Sequence, residues 1–197
     1  MIRNIDSDVG KILAKLKELD LDENTLVLFS SDNGPHQEGG HQMPFFDSNG
    51  PLQGMKRDLY EGGIRAPMIA RWPAHIDAGA VSGHVSGFQD MLPTLAQLAG
   101  AETPANDGLS MVPTLLGKGE QLQHDHLYWE FFEQGGRQAV RHGNWKGVRL
   151  NTEKNPDGPI ELYDLANDIE EAHNIADQHP DIVAKLVTIL REAHVDP

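Results

Sequence analysis

Apolar side chains at Ile5, Val9, Ile12, Leu13, Leu16 and Leu19 recur at the three- and four-residue spacing of an amphipathic helix. Asp20-Leu21-Asp22-Glu23-Asn24 breaks the pattern, and the apolar run over residues 25 to 30 predicts a buried strand. Pro67-Met68-Ile69-Ala70-Arg71-Trp72 predicts a second buried strand, ended by Pro73. Between the two runs a long loop rich in Gly, His and Pro occupies roughly residues 31 to 63, and a loop of that length in a compact domain is more often functional than idle. Asp90 is placed to cap a helix through Leu98, with Pro93 tolerated in the first turn and Gly100 as the stop. Ser110 to Leu116 predicts a short helix.

From about residue 124 the period shortens. His126 to Phe132, Arg137 to His142, Trp145 to Leu150 and Ile160 to Asp164 predict four strands, separated by turn signals at Gly135-Gly136, Gly143-Asn144 and Asn155-Pro156-Asp157-Gly158. Such short connections favour antiparallel pairing. A final helix is expected from Pro180 to His194, with Ile182, Leu186, Ile189 and Leu190 on its apolar face. Trp129, Phe131, Phe132 and Trp145 are expected to pack this small sheet rather than line a sugar site.

The candidate chemistry begins where the first strand ends. Ser31-Asp32-Asn33-Gly34 presents an acid and an amide, and ligands of open α/β sheets gather beyond the carboxyl ends of the strands. Carboxylate and amide oxygens suit a hard cation such as calcium or magnesium. The same four residues also make an ordinary turn. A second dense stretch, Met55 to Pro67, brings Lys56, Arg57 and Arg65, and a metal beside a lysine suggests an oxyanion site.

Composition narrows the classes. A chain of 197 residues that is 39% hydrophobic supports one domain or two small ones. Thirty acidic residues against sixteen basic ones give a formal net charge of −14, which argues against nucleic acid as a partner. No apolar stretch is long enough to span a bilayer, and Met1 to Asp6 lacks the apolar core of a signal peptide. Cysteine is absent, which excludes thiolate ligands and an encoded cysteine nucleophile from this chain.

Ser-Asp-Asn-Gly at 31 to 34, Gly54-x-Lys56 and Glu61-Gly62-Gly63-Ile64-Arg65-Ala66-Pro67 are followed in order by Arg71-Trp72-Pro73, Asp90-Met91-Leu92-Pro93-Thr94, Leu98-Ala99-Gly100, Gly143-Asn144-Trp145-Lys146 and Glu161-Leu162-Tyr163-Asp164-Leu165. In that order and spacing they resemble the C-terminal portion of a type I, formylglycine-dependent sulfatase of the alkaline phosphatase superfamily. The resemblance runs from about residue 5 to 194. It implies an α/β fold: residues 1–120 as the C-terminal part of the catalytic domain, then residues 121–197 as a four-stranded antiparallel sheet with a C-terminal helix.

The resemblance carries roles onto matching residues. Asp32 and Asn33 match the family's metal pair, which implies calcium, with magnesium as the alternative. Lys56 matches the lysine on a sulfate oxygen. The implied activity is sulfuric ester hydrolysis, on a sulfated carbohydrate or aryl sulfate, in a periplasmic or secreted enzyme. The family's Cys/Ser-x-Pro-x-Arg nucleophile motif, precursor of formylglycine, has no counterpart here. Nor do its N-terminal aspartate pair and its other sulfate-binding lysine and histidines. The chain alone is therefore expected to be inactive, and the missing N-terminal part is a candidate partner. A phosphodiesterase or phosphonate hydrolase on the same scaffold, and an inactive metal- or anion-binding chain, are the alternatives.

Other residues carry competing readings. His36 and His41 are candidates to hydrogen-bond a substrate or, for His36, to protonate a leaving group, against the default of solvated loop histidines. Arg57 is either a substrate contact or a surface partner of Asp58. Glu61 and Arg65 read as a structural ion pair, and Gly62-Gly63 as a site of tight backbone packing. His124-Asp125-His126 places two imidazoles on one strand face, a zinc pair without an evident third ligand. Asp20 to Asn24 is no EF-hand, because Thr25 stands where the loop needs glycine.

Overall fold

The structure is a computed structural model and describes residues 2–195. Its elements, in chain order, are α1 (Ile2–Glu18), β1 (Val27–Ser30), α2 (Met43–Phe46), α3 (Glu61–Ile64), β2 (Met68–Arg71), α4 (Met91–Ala99), α5 (Val112–Leu116), β3 (Leu127–Phe131), β4 (Arg137–His142), β5 (Trp145–Leu150), β6 (Glu161–Asp164) and α6 (Pro180–Ala193). They form two compact units. One contains the residues up to Ser30 together with Met68–His124, and the other contains Ser31–Pro67 and the residues from Asp125 on. Among the described residues no helix is long and apolar enough to cross a membrane.

In the first unit β1 and β2 pair antiparallel, from Val27 opposite Arg71 to Ser30 opposite Met68. Arg71 grips both oxygens of Asp22, at 2.7 and 2.8 Å, and the Trp72 indole N–H donates to the Glu23 carbonyl at 3.0 Å. The helical break predicted at residues 20 to 24 is thus tied to β2. Both strands are shorter than the apolar runs suggested, and neither is buried: Phe29 is 41% exposed and Ile69 61%. A two-stranded ribbon has two open faces, and the apolar run signals a need for cover that the described residues meet only in part. The same holds for α1, whose predicted apolar stripe forms but buries no residue.

Asp90 departs from its expected part. It precedes α4 but does not cap it with its side chain. Its carboxylate turns back to accept the Gly87 N–H at 2.8 Å and reaches across to the Leu109 N–H at 2.7 Å and to His124 Nε2 at 2.8 Å. Thr94 extends the clasp, donating to the Asp90 carbonyl and accepting the Met111 N–H. Gly100 ends α4 with φ of 66°, as a helix stop requires. His126 lies beside the Asp125 carboxylate at 3.3 Å.

The second unit is built on a four-stranded antiparallel sheet of order β3-β4-β5-β6. Alternation along the strands sends Val140 and Leu162 to one face, where Leu186, Ile189 and Leu190 of α6 cover them. Ala139, Val148 and Tyr163 go to the other face and pack against Leu59. Gly147 lets α6 approach, because a Cβ there would lie 3.1 Å from a Leu186 methyl. Trp129, Phe131 and Trp145 pack against these clusters as expected, but Phe132 is 62% exposed. It stands one residue past the end of β3, where the chain has left the sheet.

Leu186 is fully buried between α6 and the sheet. Leu186→Ala is expected to lower unfolding free energy by about 2–5 kcal/mol, read from urea denaturation, by removing packed methyls and leaving a cavity.

Candidate functional site

Three short stretches of backbone, residues 33–35, 53–58 and the start of α3 at 61–63, lie against one another with no room for side chains. The Gly34 N–H donates to the Gly63 carbonyl at 2.8 Å, Gly62 N–H to Gln53 at 2.7 Å, and Lys56 N–H to Pro35 at 2.8 Å. A Cβ on Gly34 would sit 1.8 Å from the Gly62 oxygen, and one on Gly63 2.1 Å from the Asp58 oxygen. Glycine is required here by contact, and Gly62-Gly63 has the packing role its sequence suggested.

This packing brings Asp32, Asn33, His36 and Lys56 to the wall of one cavity of about 440 Å³. Asp32 is exposed. Asn33 commits its amide nitrogen to the Gly34 carbonyl at 2.8 Å, which leaves Oδ1 as the atom able to meet a cation. His36 Nδ1 accepts the Glu38 N–H at 2.9 Å, so in the neutral ring Nε2 carries the proton and is a donor. Glu38 draws the cations together: its oxygens lie 2.7 Å from Arg57, 3.8 Å from Lys56 and 3.7 Å from His36. The hydrogen bond from Arg57, its charge and that of Lys56 hold the Glu38 carboxyl below the usual glutamate range.

Two candidates fall outside this cavity. Arg57 does not line it, and its partner is Glu38 rather than the expected Asp58. Asp58 instead accepts the Met55 N–H at 2.9 Å and pairs with Arg137. Arg57 holds a left-handed φ of 78°, a conformation unusual for a side-chain-bearing residue. His41 stacks on Phe46 and contacts the Ser48 hydroxyl at 3.0 Å, and it lines a separate hollow with Gln37, Gly40 and Phe45. Sequence reasoning missed Arg65 and Asn49 as lining residues. Arg65 does pair with Glu61, at 3.5 Å, yet with half its side chain exposed it also reaches the cavity. The signal for Arg65 was present in a basic residue two positions after the glycine pair.

Beneath the glycines lies a buried ionic cluster. Lys146 of β5, wholly buried, donates to Glu61 Oε1 at 2.8 Å and lies 3.5 Å from Glu171. Glu171 accepts the backbone N–H of Glu61 at 2.6 Å, and the Lys146 ammonium also stands 5.6 Å over the Trp129 ring. Burial works to raise Glu61, but the charge and hydrogen bond of Lys146, with Arg141 and Arg65, outweigh it and hold the carboxyl below its ordinary value. For Glu171 burial dominates, with the Glu61 charge adding to it, and its carboxyl is pushed up. Two acids and one cation thus fix the start of α3, and through Gly62 and Gly63 the backbone of the cavity.

The family model Sulfatase matches residues 1–101, and N-sulphoglucosamine sulphohydrolase, C-terminal, matches residues 54–196. Mouse (Mus musculus) steryl-sulfatase is 38% identical over 152 residues, covering 75% of this chain and 24% of that protein. The N-acetylgalactosamine-6-O-sulfatase of Bacteroides thetaiotaomicron is 31% identical over 212 residues, covering 96% of this chain and 40% of that protein. The crystal structure of Ps i-CgsB with k-i-k-neocarrahexaose superposes with a TM-score of 0.83 at 30% identity, over 98% of this chain and 41% of that one. The chain therefore spans about a quarter to two-fifths of the length of these relatives.

Lys146→Met strips the buried ammonium from between two buried carboxylates and is expected to cost about 3–5 kcal/mol near neutral pH in urea denaturation. Because Glu61 is lowered, its stabilising share is present above its unfolded pKa and lost as pH falls through the folded one. The raised Glu171 favours its protonated form, so its share runs the opposite way and fades as pH rises through its folded pKa. The penalty of the variant should therefore shrink as acid neutralises both carboxyls. Gly34→Ala should displace the 53–63 backbone, read as amide shift changes in that segment with the α6-covered sheet face unperturbed.

Proposed function

The chain belongs to the sulfatase family, and from that premise we propose that it is the C-terminal part of a sulfuric ester hydrolase acting on a sulfated carbohydrate or an aryl sulfate. The observation that carries this reading is the single cavity shared by Asp32, Asn33, His36 and Lys56. Residues 1–120 belong, in this reading, to the catalytic α/β domain, and residues 121–197 form the C-terminal subdomain that supports it.

Asp32 and the Asn33 Oδ1 are the hard oxygen donors that calcium prefers, with magnesium the alternative, and they supply only part of its six to eight ligands. The donor set fits such a cation in kind. When bound, the cation supplies positive charge against the sulfuryl oxygens as the ester bond breaks. Lys56 holds a sulfuryl oxygen, exchanging its 3.8 Å contact with Glu38 for a full charge-assisted hydrogen bond. His36 donates a hydrogen bond from Nε2 to the ester oxygen; protonating that oxygen as it leaves would require the imidazolium form, with Nδ1 released from the Glu38 N–H and protonated from solvent. Arg57 acts through Glu38, keeping that carboxylate from neutralising Lys56 outright. His41, in its separate hollow, is left to the parts of the substrate beyond the sulfate group. The chain contains no Cys/Ser-x-Pro-x-Arg sequence, so the formylglycine nucleophile of the family is assigned to sequence beyond these residues.

Calcium titration by calorimetry tests the metal pair: binding is expected at roughly 10⁻⁴–10⁻³ M, as for sites short of ligands, and should vanish in Asp32→Ala. The purified 197-residue chain should show no turnover of an aryl sulfate. Turnover would overturn the division of labour proposed here. In an intact enzyme carrying this segment, Lys56→Ala should lower kcat/KM by about 100-fold on a sulfate ester. Preference for the matched phosphate ester would favour the phosphodiesterase reading instead.

A further inference from the structure

Arg149 of β5 is 3% exposed, yet among the described residues it forms no ion pair. Its Nε donates to the Gly158 carbonyl at 2.9 Å, and Nη1 donates to Pro156 at 2.9 Å and Gln138 Oε1 at 3.2 Å. All three acceptors are neutral. Nη2, with two N–H groups, has no acceptor among the described residues, and it is not sealed from the adjoining space. Burial presses the guanidinium pKa down, with the nearby Asp157 opposing and Arg191 adding to the effect. A buried charge is ordinarily paired, because an uncompensated one carries a desolvation penalty of several kcal/mol. Clasping the 156–158 loop accounts for Nε and Nη1 but leaves Nη2 without a task.

Arg149 lines a cavity of about 370 Å³ together with Glu130, Phe132, Gln138, Asp157, Arg191 and His194. Its lining carries three carboxylates, Glu130, Glu153 and Asp157, and one further cation, Arg191. Glu130 accepts from the Tyr128 hydroxyl at 2.5 Å, Gln138 at 3.1 Å and His194 Nδ1 at 2.8 Å, and Asp157 pairs with Arg191 at 3.0 Å. Glu153, at the exposed rim, is the remaining acid. Arg149 is the buried cation of this lining, and Nη2 is its one nitrogen without an acceptor among the described residues. The cavity is far larger than one tetrahedral anion, and Phe132 presents an exposed ring at its edge. Arg149 and Gln138 are register partners whose neighbours Val148 and Ala139 pack toward Leu59. The cavity thus lies on the α6 side of the sheet, opposite the face that supports the Asp32–Lys56 site.

We propose that this cavity is a second binding site, for a sugar unit carrying a sulfate or carboxylate group, with Arg149 Nη2 as the anion anchor and Phe132 as the platform for the sugar ring. Nη2 supplies a charge-assisted donor to an oxyanion from a guanidinium already fixed by its other nitrogens, and the aromatic face takes the apolar side of a pyranose. Such a site holds a second residue of an anionic glycan chain away from the scissile ester, or tethers the protein to the polymer. It stands independently of the roles proposed for Asp32 and Lys56.

Amide shift titration of the 197-residue chain tests the proposal with sodium sulfate, N-acetylglucosamine and N-acetylglucosamine 6-sulfate as probes. The sulfated sugar should shift residues 130–138 and 152–158, in the parent chain and equally in Lys56→Ala. Arg149→Gln should weaken it by about tenfold or more, and Phe132→Ala by a smaller factor. Sodium sulfate should bind the same residues more weakly and be indifferent to Phe132→Ala. Shifts confined to residues 31–67 and lost in Lys56→Ala, or binding unchanged in Arg149→Gln, would overturn the site. Equal binding of the unsulfated sugar would remove the anion anchor, and equal binding of free sulfate would remove the sugar platform. Should Arg149→Gln lose its folded circular dichroism spectrum, Phe132→Ala, at an exposed position, carries the same decision.

Discussion

Lys146 sits where no water reaches it, between Glu61 and Glu171, and most of the second unit is arranged around keeping it there. Burying three ionisable groups is costly, and only dense hydrogen bonding makes it tolerable. The backbone N–H of Glu61 supplies one of those bonds to Glu171, so the electrostatics of the cluster and the path of the chain into α3 are one constraint. Pairing of unequal acids adds direction. Glu61 is held ionised by three cations, while Glu171, pressed upward by burial, is the acid more ready to take a proton. A hydrophobic replacement of similar shape could fill the same volume, but it would not dictate where the first residue of α3 begins.

From that anchor, order passes outward through atoms too close together to move separately. Gly62 and Gly63 are held by Glu61 on one side and by the Gln53, Tyr60 and Gly34 backbones on the other. Asn33 and Lys56 inherit their positions from these contacts rather than from packing of their own side chains. Polar groups near a surface need such backing, since a flexible lysine or an exposed aspartate fixes nothing by itself. The cavity is accordingly open at Asp32 but closely packed one layer beneath it.

Much of this was legible in the sequence, and the failures share a cause. Strands β4 and β5 fall where alternation and the Gly143-Asn144 turn put them, because period and turn chemistry are local signals. Asp32, Asn33 and Lys56 were singled out by their order along the chain, and the structure brings them with His36 to the wall of one cavity. What local pattern could not supply was partner choice. Arg57 turns to Glu38, nineteen positions away, and Asp58 to Arg137, so adjacency in sequence misled. Asp90 looked like a helix cap but serves three separate groups, one of them on Leu109. The apolar runs of β1 and β2 were read as buried because hydrophobicity reports a tendency, whereas exposure depends on what else is present to cover it.

The long reach of the ionic cluster also bears on when the cavity forms. Glu61 and Glu171 are separated by 110 positions and Tyr60 and Glu161 by 101, so the glycine segment meets its supports only after nearly all of the sheet exists. Contacts of such sequence separation form late, because the loop between them must be ordered before they return any stabilisation. During synthesis, residues 31–67 leave the ribosome long before Lys146 and Glu171 do, and must wait unsupported. The cavity is thus a late product of folding, and a chain halted before Glu171 would carry every residue of the candidate site without the means to assemble it.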